Sequence, residues 1–188
     1  IDENVERVVR ENPIFVGFSV ITGLPTVHSA MMSKKIKERS NIPVVWGGIH
    51  ASLLPECCLE LDYVDIVVIG EGEETTVELA ERVTKKGTLG DIKGIGYKRA
   101  GSEIIINPGR PLIKDLTPHR LDFNLVDMQK YVNNRFEKTD RIEKRIVTID
   151  YISSRGCPHS CGFCYNQKYN QARWRAYPID VVLEDIEF

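Results

Sequence analysis

The 188-residue sequence predicts an α/β fold, with a Rossmann-like open parallel sheet in its first half and the start of a second α/β unit at its end. Three observations predict it. Short, almost uninterrupted apolar runs alternate with amphipathic stretches over residues 2–85, and that alternation demands right-handed βαβ crossovers and a parallel sheet covered on both faces. Each apolar run is followed by glycine. The charge then changes sign: residues 1–88 carry 9 basic and 14 acidic side chains, and residues 89–188 carry 16 and 13. The expected division is 1–88 for the first α/β domain, 89–145 for a hairpin and connector, and 146–188 for the beginning of the second unit.

The elements follow in order. Residues 2–10 read as the end of an amphipathic helix, and 14–20, rich in β-branched and aromatic residues, as a buried strand. A helix with a basic solvent face is expected over 29–39, a strand over 42–46 stopped by Gly47 and Gly48, and a short helix over 55–61. The run 64–69 is the third strand, stopped by Gly70, and 73–85 is a well-patterned helix. Residues 95–98 and 104–106 flank a polar turn and predict a hairpin. The stretch 108–145 contains Pro108, Pro111 and Pro118 and reads as a connector with one short helix around 126–131. Residues 145–153 read as a strand running into a cysteine-rich loop, and 178–188 as a helix that has only begun. Residue 1 is Ile, so the chain is expected to be an N-terminal portion of a longer protein that does not turn over by itself.

Composition excludes several functions. With 25 basic and 27 acidic side chains the chain lacks the basic excess of a nucleic-acid binder. No apolar run approaches the roughly 18 residues of a membrane span, and no secretory signal opens the chain. A cytoplasmic protein is expected.

Three of the five cysteines fall in Cys157-Pro158-His159-Ser160-Cys161-Gly162-Phe163-Cys164. Thiols so closely spaced in a cytosolic chain read as metal ligands rather than disulfides, and soft thiolates favour iron–sulfur clusters or zinc. Three ligands to a cluster leave one iron open to a cosubstrate. Zinc would need a fourth ligand, and His159 lies between two of the three. A redox pair made of Cys161 and Cys164 leaves Cys157 unexplained. Cys57 and Cys58, adjacent on a helix, point to different faces, and at least one is expected in the core.

The glycine edge offers a second candidate site. Gly23, Gly47, Gly48, Gly70 and Gly72 follow strands at their C-terminal ends, where open α/β sheets bind ligands. Each alone reads as an ordinary turn; three turns on one edge favour a site. A nicotinamide site at Gly70 fits poorly: the third small residue would be Thr75, and Glu71, Glu73 and Glu74 would repel a pyrophosphate.

The loop Cys157 to Cys164, with an aromatic before its last cysteine, resembles the radical S-adenosylmethionine enzymes, in which three cysteines hold a 4Fe–4S cluster at the start of a partial (β/α) barrel. The resemblance implies that Cys157, Cys161 and Cys164 are the cluster ligands and that the open iron chelates S-adenosylmethionine. It also implies that Phe163 lies against the adenine and that reductive cleavage yields a deoxyadenosyl radical. Residues 14–86 resemble the cobalamin-binding domain found upstream of many such enzymes. The matching segments are Val16 to Ser19 with Thr22 and Gly23, Val44 to Ala51 with Leu54 to Glu56, and Asp65 to Thr75. By that resemblance Ser19, Thr22, Gly23, Gly47, Gly48, Gly70, Glu71, Gly72 and Glu73 line a groove for cobalamin. His50 is expected in the same cofactor-binding set without an axial role; read by themselves, as lone histidines, His28, His50 and His119 are structural or surface residues. The family's usual first strand, and the loop bearing a lower axial histidine in some members, would precede Ile1.

The combination implies a cobalamin-dependent radical S-adenosylmethionine enzyme that transfers methyl groups to an unactivated carbon of a small-molecule or natural-product substrate. Flavodoxin or ferredoxin would supply its electrons. Alternatives are a non-methylating radical enzyme, such as an oxidative cyclase or one catalysing a rearrangement, a corrinoid carrier, or a zinc-stapled binding module without catalysis.

Overall fold

The computed structural model describes residues 1–99, 103–139 and 142–187, with the side chains of 133–139 and 142–147 outside the description. Two compact units emerge: residues 1–113 with 157–173, and residues 114–156 with 174–188. Compactness thus divides the chain differently from the three sequence segments.

The first unit opens with helix α1 (Asp2–Glu11) and strand β1 (Val16–Ser19). Helix α2 (Leu24–Arg39) begins five residues before the expected position, because Gly23 at φ 117° turns the chain and Pro25 occupies the first helical turn, where its missing N–H costs nothing. Strand β2 (Val44–Gly47) leads into two short helices, α3 (Gly48–Leu53) and α4 (Pro55–Leu59), of which only the second was expected. Strand β3 (Ile66–Val68) and helix α5 (Glu73–Thr84) complete the crossovers. The hairpin β4 (Ile95–Arg99) and β5 (Glu103–Ile106) does not open a connector: β4 pairs antiparallel with β3. The sheet is therefore mixed, ordered β1-β2-β3-β4-β5, with parallel pairing confined to β1–β3.

Burial explains why the strands read as continuous apolar runs. On one face Val44, Trp46 and Val67 pack with Val5, Val20, Ile36, Ala51, Cys58 and Leu59. On the other, Val45, Ile66 and Val68 pack with Leu79, Ile92, Ile95 and Tyr97. Neighbouring strand residues point to opposite faces, and both faces are core.

Asp65 closes the opposite end of the sheet. Its Oδ2 accepts the Val44 N–H at 2.7 Å, and Lys37 Nζ donates to both carboxylate oxygens at 3.0 Å. Hydrogen bonds to a charged acceptor contribute about 1.5–3 kcal/mol. Asp65→Ala is expected to destabilise the unit by about 2 kcal/mol, and an unchanged unfolding midpoint would refute this role.

In the second unit β6 (Asn133–Thr139) pairs antiparallel with β7 (Ile142–Thr148). The strand expected over 145–153 therefore ends at Thr148, and β6 occupies part of what was expected to be connector. The short helix expected around 126–131 is a 3-10 turn, Met128–Tyr131. Strand β8 (Ser154–Arg155) pairs antiparallel with β9 (Arg175–Ala176), and helix α7 (Ile179–Glu187) ends the unit. The Tyr151 hydroxyl donates to Asp185 at 2.8 Å; burial and that carboxylate push the phenol up to about 12. In the first unit helix α6 (Asn166–Tyr169) follows the cysteine loop. Among the described residues no helix is long and apolar enough to cross a membrane.

Candidate functional site

The parallel strands deliver their glycines to one edge. Ser19 ends β1 and Gly47 ends β2 in register with it, and Gly70 follows β3. Gly48 has φ +85°, and a Cβ there would sit 3.0 Å from Val20 N and O and 3.2 Å from Ser19 Oγ, so no other residue fits without moving the β1 end. Gly70, at φ +83°, is the opposite case: a Cβ would meet nothing within 4 Å. Gly23, at φ +117°, is equally open. The edge thus combines one backbone-to-backbone contact with two bare, unobstructed turns.

Hydrogen bonds hold this edge. Thr22 Oγ1 and His50 Nδ1 lie 3.0 Å apart, tying the loop after β1 to α3, and the His50 N–H donates to Val20 O at 3.0 Å. His50 thus lies at the edge, beside Thr22 and the end of β1. Ser52, buried in α3, donates its hydroxyl to Gly48 O at 2.7 Å and accepts the Gly70 N–H at 2.9 Å. It joins two of the three glycine turns, and sequence reasoning missed it because one serine in a short helix carries no pattern.

Glu71 and Gly72 lead into α5, and Glu73 occupies its first turn, where the helix dipole favours a carboxylate. Glu71 is turned inward: its Oε2 accepts the Ile113 N–H at 2.8 Å. Nearby, Arg110 Nε donates to Thr75 Oγ1 at 2.9 Å, and its guanidinium pairs with Glu74 and Glu78. The segment after the hairpin is strapped onto the start of α5 by these contacts. The Glu71 carboxylate serves this strap, leaving its backbone at the edge.

The cysteine loop belongs to the same compact unit. Cys157 and Cys164 are half-buried, Cys161 is exposed, and all three are free thiols. Asn166, 4% exposed, donates Nδ2 to Cys157 O at 2.6 Å, and Gln167 Nε2 donates to Ser160 O at 2.7 Å and Cys161 O at 3.0 Å. The buried Asn166 Oδ1 has no hydrogen-bond partner among the described residues. Turning these carbonyls toward α6 shapes the loop without using a sulfur. The sulfurs themselves are not drawn together: among the described residues no group of three His, Cys, Asp or Glu side chains forms a metal-holding set. Phe163 is 95% exposed. Cys58 is core, and burial together with Cys57 beside it pushes its thiol up to about 11; Cys57 is exposed.

Both implied cofactors fit the residues present. Three free thiols within one loop are the soft donor set of an iron–sulfur cluster. The bare turns at Gly23 and Gly70 are a cradle that side chains would fill.

Comparison with known proteins supports the cobalamin side of this reading. The B12 binding domain family matches residues 1–80. An uncharacterized methyltransferase of Pyrococcus horikoshii is 31% identical over 97% of this chain and 38% of its own length. The anaerobic magnesium-protoporphyrin IX monomethyl ester cyclase of Rubrivivax gelatinosus is 29% identical over 99% of this chain and 33% of its own length. The chain thus spans about a third of the length of these curated relatives. The fold matches the radical S-adenosylmethionine methyltransferase TsrM from Kitasatospora setae, solved with cobalamin and a 4Fe–4S cluster bound. That match has a TM-score of 0.67 at 16% identity and covers 97% of this chain and 36% of TsrM.

Proposed function

We propose, on the premise that this chain belongs to the radical S-adenosylmethionine enzymes carrying a B12-binding domain, that it holds cobalamin at the glycine edge and a 4Fe–4S cluster on the loop Cys157–Cys164. The observation that carries the reading is the packing of that three-thiol loop, through α6, into the same compact unit as the glycine edge.

When bound, the cluster supplies the electron that cleaves S-adenosylmethionine, and cobalamin supplies the methyl group. Cys157, Cys161 and Cys164 would ligate three irons and leave the fourth for the cosubstrate. Asn166 and Gln167 bind the loop carbonyls of Cys157, Ser160 and Cys161 and so fix the loop's backbone. Gly23 and Gly70 add no side chain of their own to the edge, and Ser52 joins the Gly48 turn to the Gly70 turn. The backbone around Phe163 would meet the adenine. In the whole enzyme the cysteine loop would begin a partial (β/α) barrel, working in the cytoplasm with a small-molecule substrate and a flavodoxin- or ferredoxin-type electron donor.

Methyl transfer to an unactivated carbon is the leading reaction. A non-methylating cyclisation is the second reading, favoured by the similarity to a protein named as a cyclase. Product mass separates them: methylation adds one methyl group and cyclisation adds none.

Cofactor content tests the core of the proposal. Full-length protein, purified without oxygen and reconstituted with iron, sulfide and cobalamin, is expected to hold about four iron and four sulfide and stoichiometric cobalt. Zinc without sulfide would overturn it in favour of a metal-stapled binding module.

A further inference from the structure

Helix α6 has a second set of contacts that a cluster loop alone does not require. The Tyr169 hydroxyl donates to the Gly70 carbonyl at 3.2 Å, and Lys168 Nζ donates to the Leu53 carbonyl at 3.0 Å. Gly70 is one of the bare turns of the edge, and Leu53 ends α3, the helix that carries Ser52. Hydrogen bonds therefore link Gly48 O to the Ser52 hydroxyl and that hydroxyl to the Gly70 N–H, and on the other side of the Gly70 Cα its carbonyl accepts from Tyr169. Tyr169 lies five residues beyond Cys164 and 99 residues from Gly70. At the other end of α6, Asn166 and Gln167 grip the cysteine loop.

We propose that α6 couples the two cofactor sites, with Tyr169 and Lys168 as positioning residues through which an ordered cysteine loop tightens the cobalamin edge. The physical reason is shared ordering. The loop is held through its backbone, by the Cys164 N–H to Cys161 O bond and the Asn166 and Gln167 amides, and among the described residues no metal-holding set joins its sulfurs; Gly70, lacking a Cβ, has wide backbone freedom. Fixing three sulfurs fixes the loop, then α6, and then the Gly70 carbonyl. A turn already ordered binds its ligand with less entropic cost. The coupling is reciprocal, so cobalamin also stabilises the cluster-bearing loop.

The inference rests on the cofactor assignment proposed above, and its test separates the two. Hydroxocobalamin affinity is measured by visible absorbance on the full-length protein with and without its reconstituted cluster. The wild type is expected to bind about three- to tenfold more tightly with the cluster, the scale of one or two neutral hydrogen bonds. Tyr169→Phe keeps the ring and removes only the hydroxyl; it is expected to bring that ratio within about twofold of one, with iron and sulfide content unchanged. Lys168→Ala, at an exposed contact, is expected to lower the ratio partway. A wild-type ratio of one, or a ratio that both variants leave intact, overturns the coupling. A wild type with its cluster that binds no hydroxocobalamin overturns the cobalamin assignment and the coupling with it.

Discussion

Replacing Cys157 by alanine in the full-length enzyme is expected to abolish S-adenosylmethionine cleavage. By the proposed ligand set, a cluster left with two thiolates would lose its ligand at the start of the loop, and the electron source for cleavage would go with it. The expected loss is at least about a thousandfold, equivalent to roughly 4 kcal/mol or more of transition-state stabilisation. Hydroxocobalamin should still bind, weakened only by the modest ratio proposed for α6. The measurement pairs methionine and deoxyadenosine release with visible absorbance of the bound corrin. Loss of both activities, or of neither, would refute the division into two sites. Cys57→Ala is the matched control: it removes an exposed thiol that lies outside the loop and should leave both readouts unchanged.

Replacing Trp46 by alanine is expected to give the largest loss of stability of any single change in the first unit. Trp46 is fully buried at the centre of the β1–β3 sheet, 6.1 Å from the Tyr63 ring, and its Nε1 donates to Ser33 Oγ at 3.0 Å. Truncating a buried tryptophan costs about 3–5 kcal/mol through lost transfer energy and the cavity left behind. The change also strands the Ser33 hydroxyl, which is fully buried in α2. Hydrogen exchange of the β1–β3 amides in the full-length enzyme should accelerate by about two to three orders of magnitude if those amides open with the unit. Trp46→Phe retains much of the apolar volume and isolates the loss of the Ser33 bond at about 1–3 kcal/mol. Acceleration below tenfold in Trp46→Ala would show that the sheet centre does not govern opening.

These two changes mark what can be read from a sequence and what cannot. The loop stands out in the sequence because Cys157, Cys161 and Cys164 are close neighbours, and a local spacing of soft donors is a pattern that needs no fold to be seen. The α/β class was legible for a similar reason: β2 and β3 are buried on both faces, so Val44 to Trp46 and Ile66 to Val68 are apolar without a break. The start of α2 was set too late because the residues after Gly23 are not amphipathic, and it is the turn at φ 117° that starts the helix. The place of the hairpin was not legible. Its turn was evident, but pairing of Ile66 with Tyr97 and Val68 with Ile95 depends on β3 having an open edge, which only the assembled sheet provides.

The sequence by itself determined which residues are apolar on both strand faces, where glycine must turn the chain, and which three thiols are near neighbours. All of these act over a few residues, where covalent connectivity already sets proximity. The tertiary structure alone decided that Ser52 joins Gly48 to Gly70, that Glu71 is spent on the strap at Ile113, and that Tyr169 reaches Gly70 from 99 residues away. Each is a hydrogen bond between groups that any polar residue supplies. Its partner is selected by which backbones the packed core brings within 3 Å or so of it, and no local pattern records that choice.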